Sequence, residues 1–225
     1  MQRSKQISES LELGILLALS GGFMDAYSYM CRGEVFANAQ TGNIVLAGIY
    51  FSEGNMLAAL RYLCPVLSFV LGIAIADIVR YRFKDADNMH WRQITVLFEA
   101  LVLLFVSFLS LDRNLLANSL TSFACGIQVE SFRKIKGNGI ATTMCIGNLR
   151  TATQAVSEYQ FTKNKELLKR GLLYYGVILS FATGAIIGNI CVKLWNQKAI
   201  MVCSGLLGIG FLMMFIKNDS DSIKS

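Results

Sequence analysis

The sequence predicts an all-α polytopic integral membrane protein, with about six transmembrane helices plus two short half-membrane helices arranged as two inverted repeats. Three observations predict it. The first is composition: 54% of the 225 residues are hydrophobic and 16% charged, with a mean hydropathy of +0.48, whereas a soluble domain carries about 25% charge. The second is that the apolar residues fall in runs, Leu11–Met30, Met56–Val79, Ile94–Leu111, Leu172–Val192 and Ile200–Ile216. Each is close to the ~20 residues that cross a bilayer as a helix. The third is an internal echo: Gly22 returns as Gly126 after 104 positions, and Gly42-Asn43 returns as Gly147-Asn148 after 105.

The single Pro and the lack of a long polar stretch make residues 1–225 one membrane domain, with repeat one over 12–111 and repeat two over 114–216. The net charge of +6 comes from Lys and Arg lying between the apolar runs. That pattern sets topology and is no sign of nucleic-acid binding. Met1-Gln2-Arg3-Ser4-Lys5 before an apolar run reads as the flank of an uncleaved first helix. The six cysteines form no Cys-x-x-Cys, and the one histidine, His90, lies in a polar loop, so no metal or cofactor is expected.

Segment one covers Glu12–Met30, capped by Ser8 or Ser10, with Gly21-Gly22 breaking it in the middle and Asp25 on the next turn. Segment two, Val35–Phe51, is too short to cross and has a polar first half. Segment three, Met56–Val79, carries Pro65 as its kink site, and its Ser68-Phe69-x-x-Gly72 matches Ser180-Phe181-x-x-Gly184. Segment four, Ile94–Leu111, is aliphatic except for Glu99. Asn114–Ser131, Gly139–Val156, Gly171–Trp195 and Ala199–Ile216 then repeat the order, ahead of a frayed polar tail, Lys217–Ser225.

Eight full spans would split Lys and Arg 11 against 10, which is no bias. If segments two and six instead return to the side they entered from, the split is 16 against 5, with both termini cytoplasmic. Each half then has three spans of opposite orientation, the plan of many transporters, whose sites lie near the midplane at interrupted helices.

Gly22-Phe23-Met24-Asp25-Ala26, Val35-Phe36, Asn38, Thr41-Gly42-Asn43, Glu99, Gly126-Ile127-Gln128, Thr143 and Gly147 resemble, in order and spacing, the YoaK-like family of bacterial membrane proteins, a domain of unknown function. The resemblance covers about residues 12–216. It implies a helical protein of the bacterial cytoplasmic (inner) membrane and names no substrate. This chain departs from the family pattern at Val129-Glu130, where Asn-Ala is usual.

The expected substrate-contacting residues are Asp25, Asn38, Thr41, Gly42, Asn43, Glu99, Gln128, Thr143, Gly147 and Asn148. Polar groups at such depth need a protein-lined or watery home. Asp25 reads either as a ligand for a cation, a proton or an amine, or as an acceptor for nearby backbone. The Gly-Asn pairs read either as solute contacts or as packing glycines with asparagines tying the re-entrant backbone. Glu99 is structural if Arg150 or Arg61 pairs with it, and a candidate proton carrier if alone. Asp77 and Glu130 read as solvated helix ends. No His-Glu-x-x-His, Gly-x-Ser-x-Gly or nucleotide-binding Gly-Lys motif is present, so an enzyme is not expected. The function expected is a secondary transporter or channel for a small polar or charged solute. The alternatives are a structural or accessory membrane protein and, third, an intramembrane enzyme. The lipid bilayer and an unidentified solute or ion are the expected partners, with homo-oligomerisation left open.

Overall fold

The computed structural model describes residues 9–83 and 91–222. Arg3, Lys5, Ser8 and His90, on which readings were placed above, and Lys84 and Lys224, which enter the charge count, lie outside the described residues. α1 (Leu11–Cys31) starts at Ser10, whose side chain accepts the Leu13 amide at 3.2 Å. It runs unbroken through Gly21-Gly22, contrary to the expected interruption. Glycine weakens a helix by about 1 kcal/mol, but here it admits a neighbouring backbone, since a Cβ on Gly22 would overlap the Phe181 carbonyl. Residues 32–39 are not helical and turn back through positive φ at Gly33 and Glu34. α2 (Gln40–Ser52) is therefore shorter than expected, and at 13 residues it reaches only about 20 Å.

α3 (Met56–Phe83) carries Pro65 inside it. α4 (Trp91–Val106) stops short of the expected Leu111, and a 3-10 turn at Leu111–Arg113 leads into α5 (Asn114–Ser131). An unexpected hairpin follows: β1 (Lys134–Ile135) pairs antiparallel with β2 (Asn138–Gly139). Its loop, Lys136-Gly137, has positive φ at both residues, as a type I′ turn requires. α6 (Cys145–Thr162) begins six residues later than the expected Gly139, because the chain before it is extended. α7 (Lys165–Trp195) and α8 (Ile200–Ser222) complete the bundle, and α8 continues helically through part of the expected frayed tail.

At one end of the bundle the Lys136 amide donates to the Glu9 carbonyl at 2.8 Å. Arg92 Nε donates to the Ser131 carbonyl at 3.0 Å, and Tyr174 to Gly139 at 2.9 Å. This end therefore gathers the starts of α1, α4 and α7 and the end of α5. At the other end, Arg61 donates to the Gly33 carbonyl, Tyr27 to Gln197 at 3.1 Å and Asn118 to Arg32 at 2.9 Å. Hence α1 and α5 run in opposite directions. α2 begins midway along α1, where Asn38 meets Gly21 and Asp25, and returns to the end where α1 finished. α6 begins near Thr142, which lies against Gly21 and Gln128, and returns to the end where α5 finished.

The helix pairings repeat under the sequence echo. α1 packs on α7 as α5 packs on α3; α2 packs on α3 as α6 packs on α7; α4 meets α5 as α8 meets α1. The close crossings correspond residue by residue. Gly22 faces Phe181 and Gly184 faces Leu19, while Gly126 faces Phe69 and Gly72 faces Phe123. The main apolar core lies between α1, α4, α5 and α8, around Phe23, Leu103, Ala124 and Leu207.

Candidate functional site

The bundle is apolar outside and sets a group of buried polar side chains into its apolar core. Leu67, Val70 and Leu71 on α3 and Leu179, Ile186 and Ile190 on α7 are exposed, while Asp25, Asn38, Glu99, Asn118 and Gln128 are buried. Contiguous exposed apolar surface of this kind marks contact with lipid or another protein. Two described stretches, Met56–Phe83 and Lys165–Met214, are by length and composition apolar enough to cross a membrane.

The polar groups gather around the middle of α1. The Asn38 amide donates to Asp25 Oδ1 at 2.7 Å, and the Ala37 and Ala39 amides lie near the same carboxylate. Asp25 thus holds the chain entering α2, at whose positive dipole end an anion is favoured. It also lies within electrostatic reach of Cys145, the first residue of α6. Asn38 Nδ2 donates to the Gly21 carbonyl at 3.0 Å. One turn along α1, Gln128 Nε2 donates to the Leu17 carbonyl and to Thr142 Oγ1, both at 3.0 Å.

Asn43 is a tie to backbone: its Oδ1 accepts the Phe36 amide at 3.1 Å and its Nδ2 donates to the Phe36 carbonyl at 2.7 Å. Asn148 makes the equivalent bond to the Ala141 carbonyl, also at 2.7 Å. Gly42 packs on the Phe36 ring. Thr41 and Gly147 do not join the cluster. Both are exposed, and a Cβ on Gly147 would meet nothing within 4 Å. Thr143 is buried with its hydroxyl unpartnered.

Glu99 is wholly buried, and neither carboxylate oxygen has a partner. Neither expected arginine supplies one: Arg61 is engaged with Gly33, and Arg150 is exposed. Near Glu99 lie the thiols of Cys125 and Cys203, within its electrostatic reach. Asp77 pairs with Arg80 at 2.5 Å, and Glu130 with Arg80 and Arg133, each at 3.5 Å; with its side chain 14% exposed, Glu130 is not the solvated helix end expected. Beside Glu130 a cavity of about 370 Å³ is lined by Ile73, Val129, Arg133, Ile140, Ala141 and Met144, among others.

Arg32, one of the five Lys and Arg that the charge count puts outside, is fully buried. Its guanidinium donates to Tyr27 Oη at 2.8 Å and to the carbonyls of Leu109 at 2.8 Å, Ser110 at 2.9 Å and Val106 at 3.2 Å. It satisfies the free carbonyls at the end of α4, where a cation also suits the dipole. Nothing local in the sequence marks it, because its carbonyl partners lie more than seventy positions away. Among the described residues no group of three or more His, Cys, Asp or Glu side chains is placed to hold a metal ion.

A helical bundle with lipid-grade faces and a group of buried polar side chains is an integral membrane protein. The chain belongs to the family described as Protein of unknown function (DUF1275), which matches residues 13–213. It is 29% identical over 181 residues to the UPF0700 transmembrane protein YoaK of Bacillus subtilis (strain 168), covering 76% of this chain and 79% of that protein. No solved structure matches it.

Proposed function

We propose that this protein is a secondary transporter or channel for a small polar or charged solute. It is built as two inverted repeats of three spans, each with a re-entrant half-helix, and lies in the bacterial cytoplasmic membrane with both termini inside. The observation that carries this reading is the pair of half-helices. α2 and α6 both begin in the interior beside Gly21 of α1, and both run back toward the end where their chain entered. Non-helical backbone at membrane depth is tolerated only where it lines a cavity or is buried in protein, and broken helices in matching places of two halves mark solute sites. α1 and α5 bury Asp25 and Gln128, and α4, 16 residues long, buries Glu99.

One observation favours the structural or accessory reading. Asp25, Asn43 and Asn148 spend their hydrogen bonds on the chain's own backbone, as scaffold residues do. Two measurements separate the readings. Single cysteines at Gly33, Ser52 and Asn138, in a cysteine-free background, report sidedness. Gly33 and Ser52 label from outside and Asn138 from the cytoplasm if α2 is re-entrant; labelling of Gly33 and Ser52 from opposite faces refutes the plan. Solute-driven swelling of vesicles containing the purified protein, screened over small solutes, then tests transport. Tight vesicles across the whole screen support the accessory reading.

A further inference from the structure

The cavity beside the end of α5 is edged by a loosely matched charged pair. Glu130 and Arg133 both line it. They stand 3.5 Å apart, and Arg80 is also 3.5 Å from Glu130. Charge-assisted N–H···O bonds run at about 2.7–2.9 Å, so neither pairing is a close one. Arg80 has its short contact elsewhere, with Asp77 at 2.5 Å. Among the described residues Arg133 has no other charged partner, and it stands half exposed, within reach of water from that end of the bundle. The rest of the wall is largely apolar, with Ile73, Val129, Ile140 and Met144. A Cβ on Gly139, which also lines the cavity, would meet nothing within 4 Å, so the space beside it is open.

The first half of the chain lacks this arrangement. At the offsets of 104 and 105, Glu130 corresponds to Ala26, Arg133 to Tyr29 and Ala141 to Phe36. The rings of Tyr29 and Phe36 stack there at 4.9 Å. The scaffold thus closes that place with two rings in one half, and in the other an alanine and a charged pair leave it open. At about 370 Å³ the cavity is of metabolite size, at the small end of ligand pockets. The charges select among ligands. Asp77, Arg80, Glu130 and Arg133 form one chain of contacts with two charges of each sign. An ion of either sign would leave that group unbalanced beside an apolar wall, where uncompensated charge is costly. A zwitterion adds no net charge. Its ammonium gives Glu130, and its carboxylate gives Arg133, the close partner that each lacks, while an apolar side chain covers the wall.

We propose that this cavity binds a small zwitterion with an apolar body, an α-amino acid of the leucine or methionine type, with its carboxylate on Arg133 and its ammonium on Glu130. The assignment deepens the transport reading, on which it rests for the step from binding to passage. It names the class of solute and the end, cytoplasmic in that plan, at which the solute is held.

The test is thermal unfolding of the purified protein in lipid nanodiscs, with leucine, methionine, phenylalanine or glycine titrated in. At least one of the three apolar amino acids is expected to raise the midpoint saturably, and glycine, which has nothing to set against the wall, is not. The amide of that amino acid, which lacks the carboxylate, and its deaminated acid, which lacks the ammonium, are each expected to half-saturate at a concentration about tenfold higher or more, the loss of one hydrogen bond to a charged group. Arg133→Gln is expected to raise the half-saturating concentration of the amino acid by a similar factor. Ala141→Phe, which installs the residue of the other half, is expected to abolish the response. If Ala141→Phe does not fold, Arg133→Gln, at a half-exposed position, and the two analogues on the unmutated protein decide. No apolar amino acid stabilising beyond glycine overturns the site, as does an amide or deaminated acid equal to its parent, or an unchanged response in Arg133→Gln. Binding without flux of the same amino acid into vesicles keeps the site and removes the transport reading. Flux of another solute without stabilisation by amino acids does the reverse.

Discussion

Gly22→Ala is expected to destabilise the bundle by about 2 kcal/mol. The added Cβ overlaps the Phe181 carbonyl oxygen and stands 2.8 Å from the Phe181 carbonyl carbon and 3.0 Å from the Ala185 nitrogen. Carbon atoms in contact prefer about 3.5–4.0 Å, so α1 and α7 must part by roughly 1 Å at this crossing. Overpacking a core costs about 1–3 kcal/mol, and these are backbone atoms that cannot rotate away, which places the site at the upper end. Alanine's better helix propensity returns up to about 1 kcal/mol. Gly126→Ala at the equivalent crossing, where Phe69 and Ile73 backbone atoms crowd the position, is expected to cost a similar amount. Gly48→Ala is the control: nothing lies within 4 Å of its Cβ, so only the propensity gain of up to about 1 kcal/mol remains. Denaturant titration in mixed micelles, followed by the fluorescence of Trp91 and Trp195, gives all three values. If Gly22→Ala is as stable as Gly48→Ala, the helices do not touch through their backbones there and the reasoning fails.

Asn43→Ala is expected to cost more than Asn148→Ala. The first frees both polar groups of Phe36 and the second only one carbonyl, each orphaned group being worth about 1–3 kcal/mol. Equal losses in the same titration would contradict this. Asp25→Asn keeps the shape of the side chain but loses a charge-assisted bond worth about 1.5–3 kcal/mol. Amide hydrogen exchange should rise from Ala37 to Asn43 while the middle of α3 stays protected; unchanged exchange would free Asp25 from its anchoring role. Arg32→Lys should lower stability by at least about 2 kcal/mol, because an ammonium cannot span four acceptors that a planar guanidinium reaches. A neutral effect on the unfolding midpoint would show that the α4 carbonyls are satisfied without it.

α1, α3, α5 and α8 begin within one residue of the expected starts, whereas α4 and α7 begin three and six residues earlier, at Trp91 and Lys165. α2 was legible as short and α6 as polar, but their starts were not. Phe36 to Ala39 and Ala141 to Met144 are as apolar as a helical turn, and it is the tertiary bonds from Asp25, Gln128 and the two asparagines that draw them out. The Thr41-Gly42-Asn43 triplet reads as one motif along the chain. In a helix, consecutive residues are turned by about 100°, so Asn43 faces inward while Thr41 faces out. Gly147 and Asn148 part in the same way. Arg32 escaped because a lone arginine after an apolar run has the pattern of a topology charge, and only the fold brings the end of α4 to it.

The two halves agree where they pack and differ where they would act. Gly22 and Gly126, Gly72 and Gly184, and Asn43 and Asn148 keep both identity and contact. The differences fall around the interior and at the two mouths. Asp25 corresponds to Val129, so one carboxylate serves two half-helix ends and a second would overcompensate them. Tyr29 and Phe36 stack at 4.9 Å beside the end of α1. Their counterparts, Arg133 and Ala141, line the cavity of about 370 Å³ beside the end of α5. One end carries an aromatic pair and the other a cavity flanked by Arg133 and Glu130. A duplicated scaffold kept for packing alone has no need of that difference. The pathway proposed above would use such a difference, and the buried amides of Asn38 and Gln128 lie between the two ends, bonded to Gly21 and Leu17 of α1.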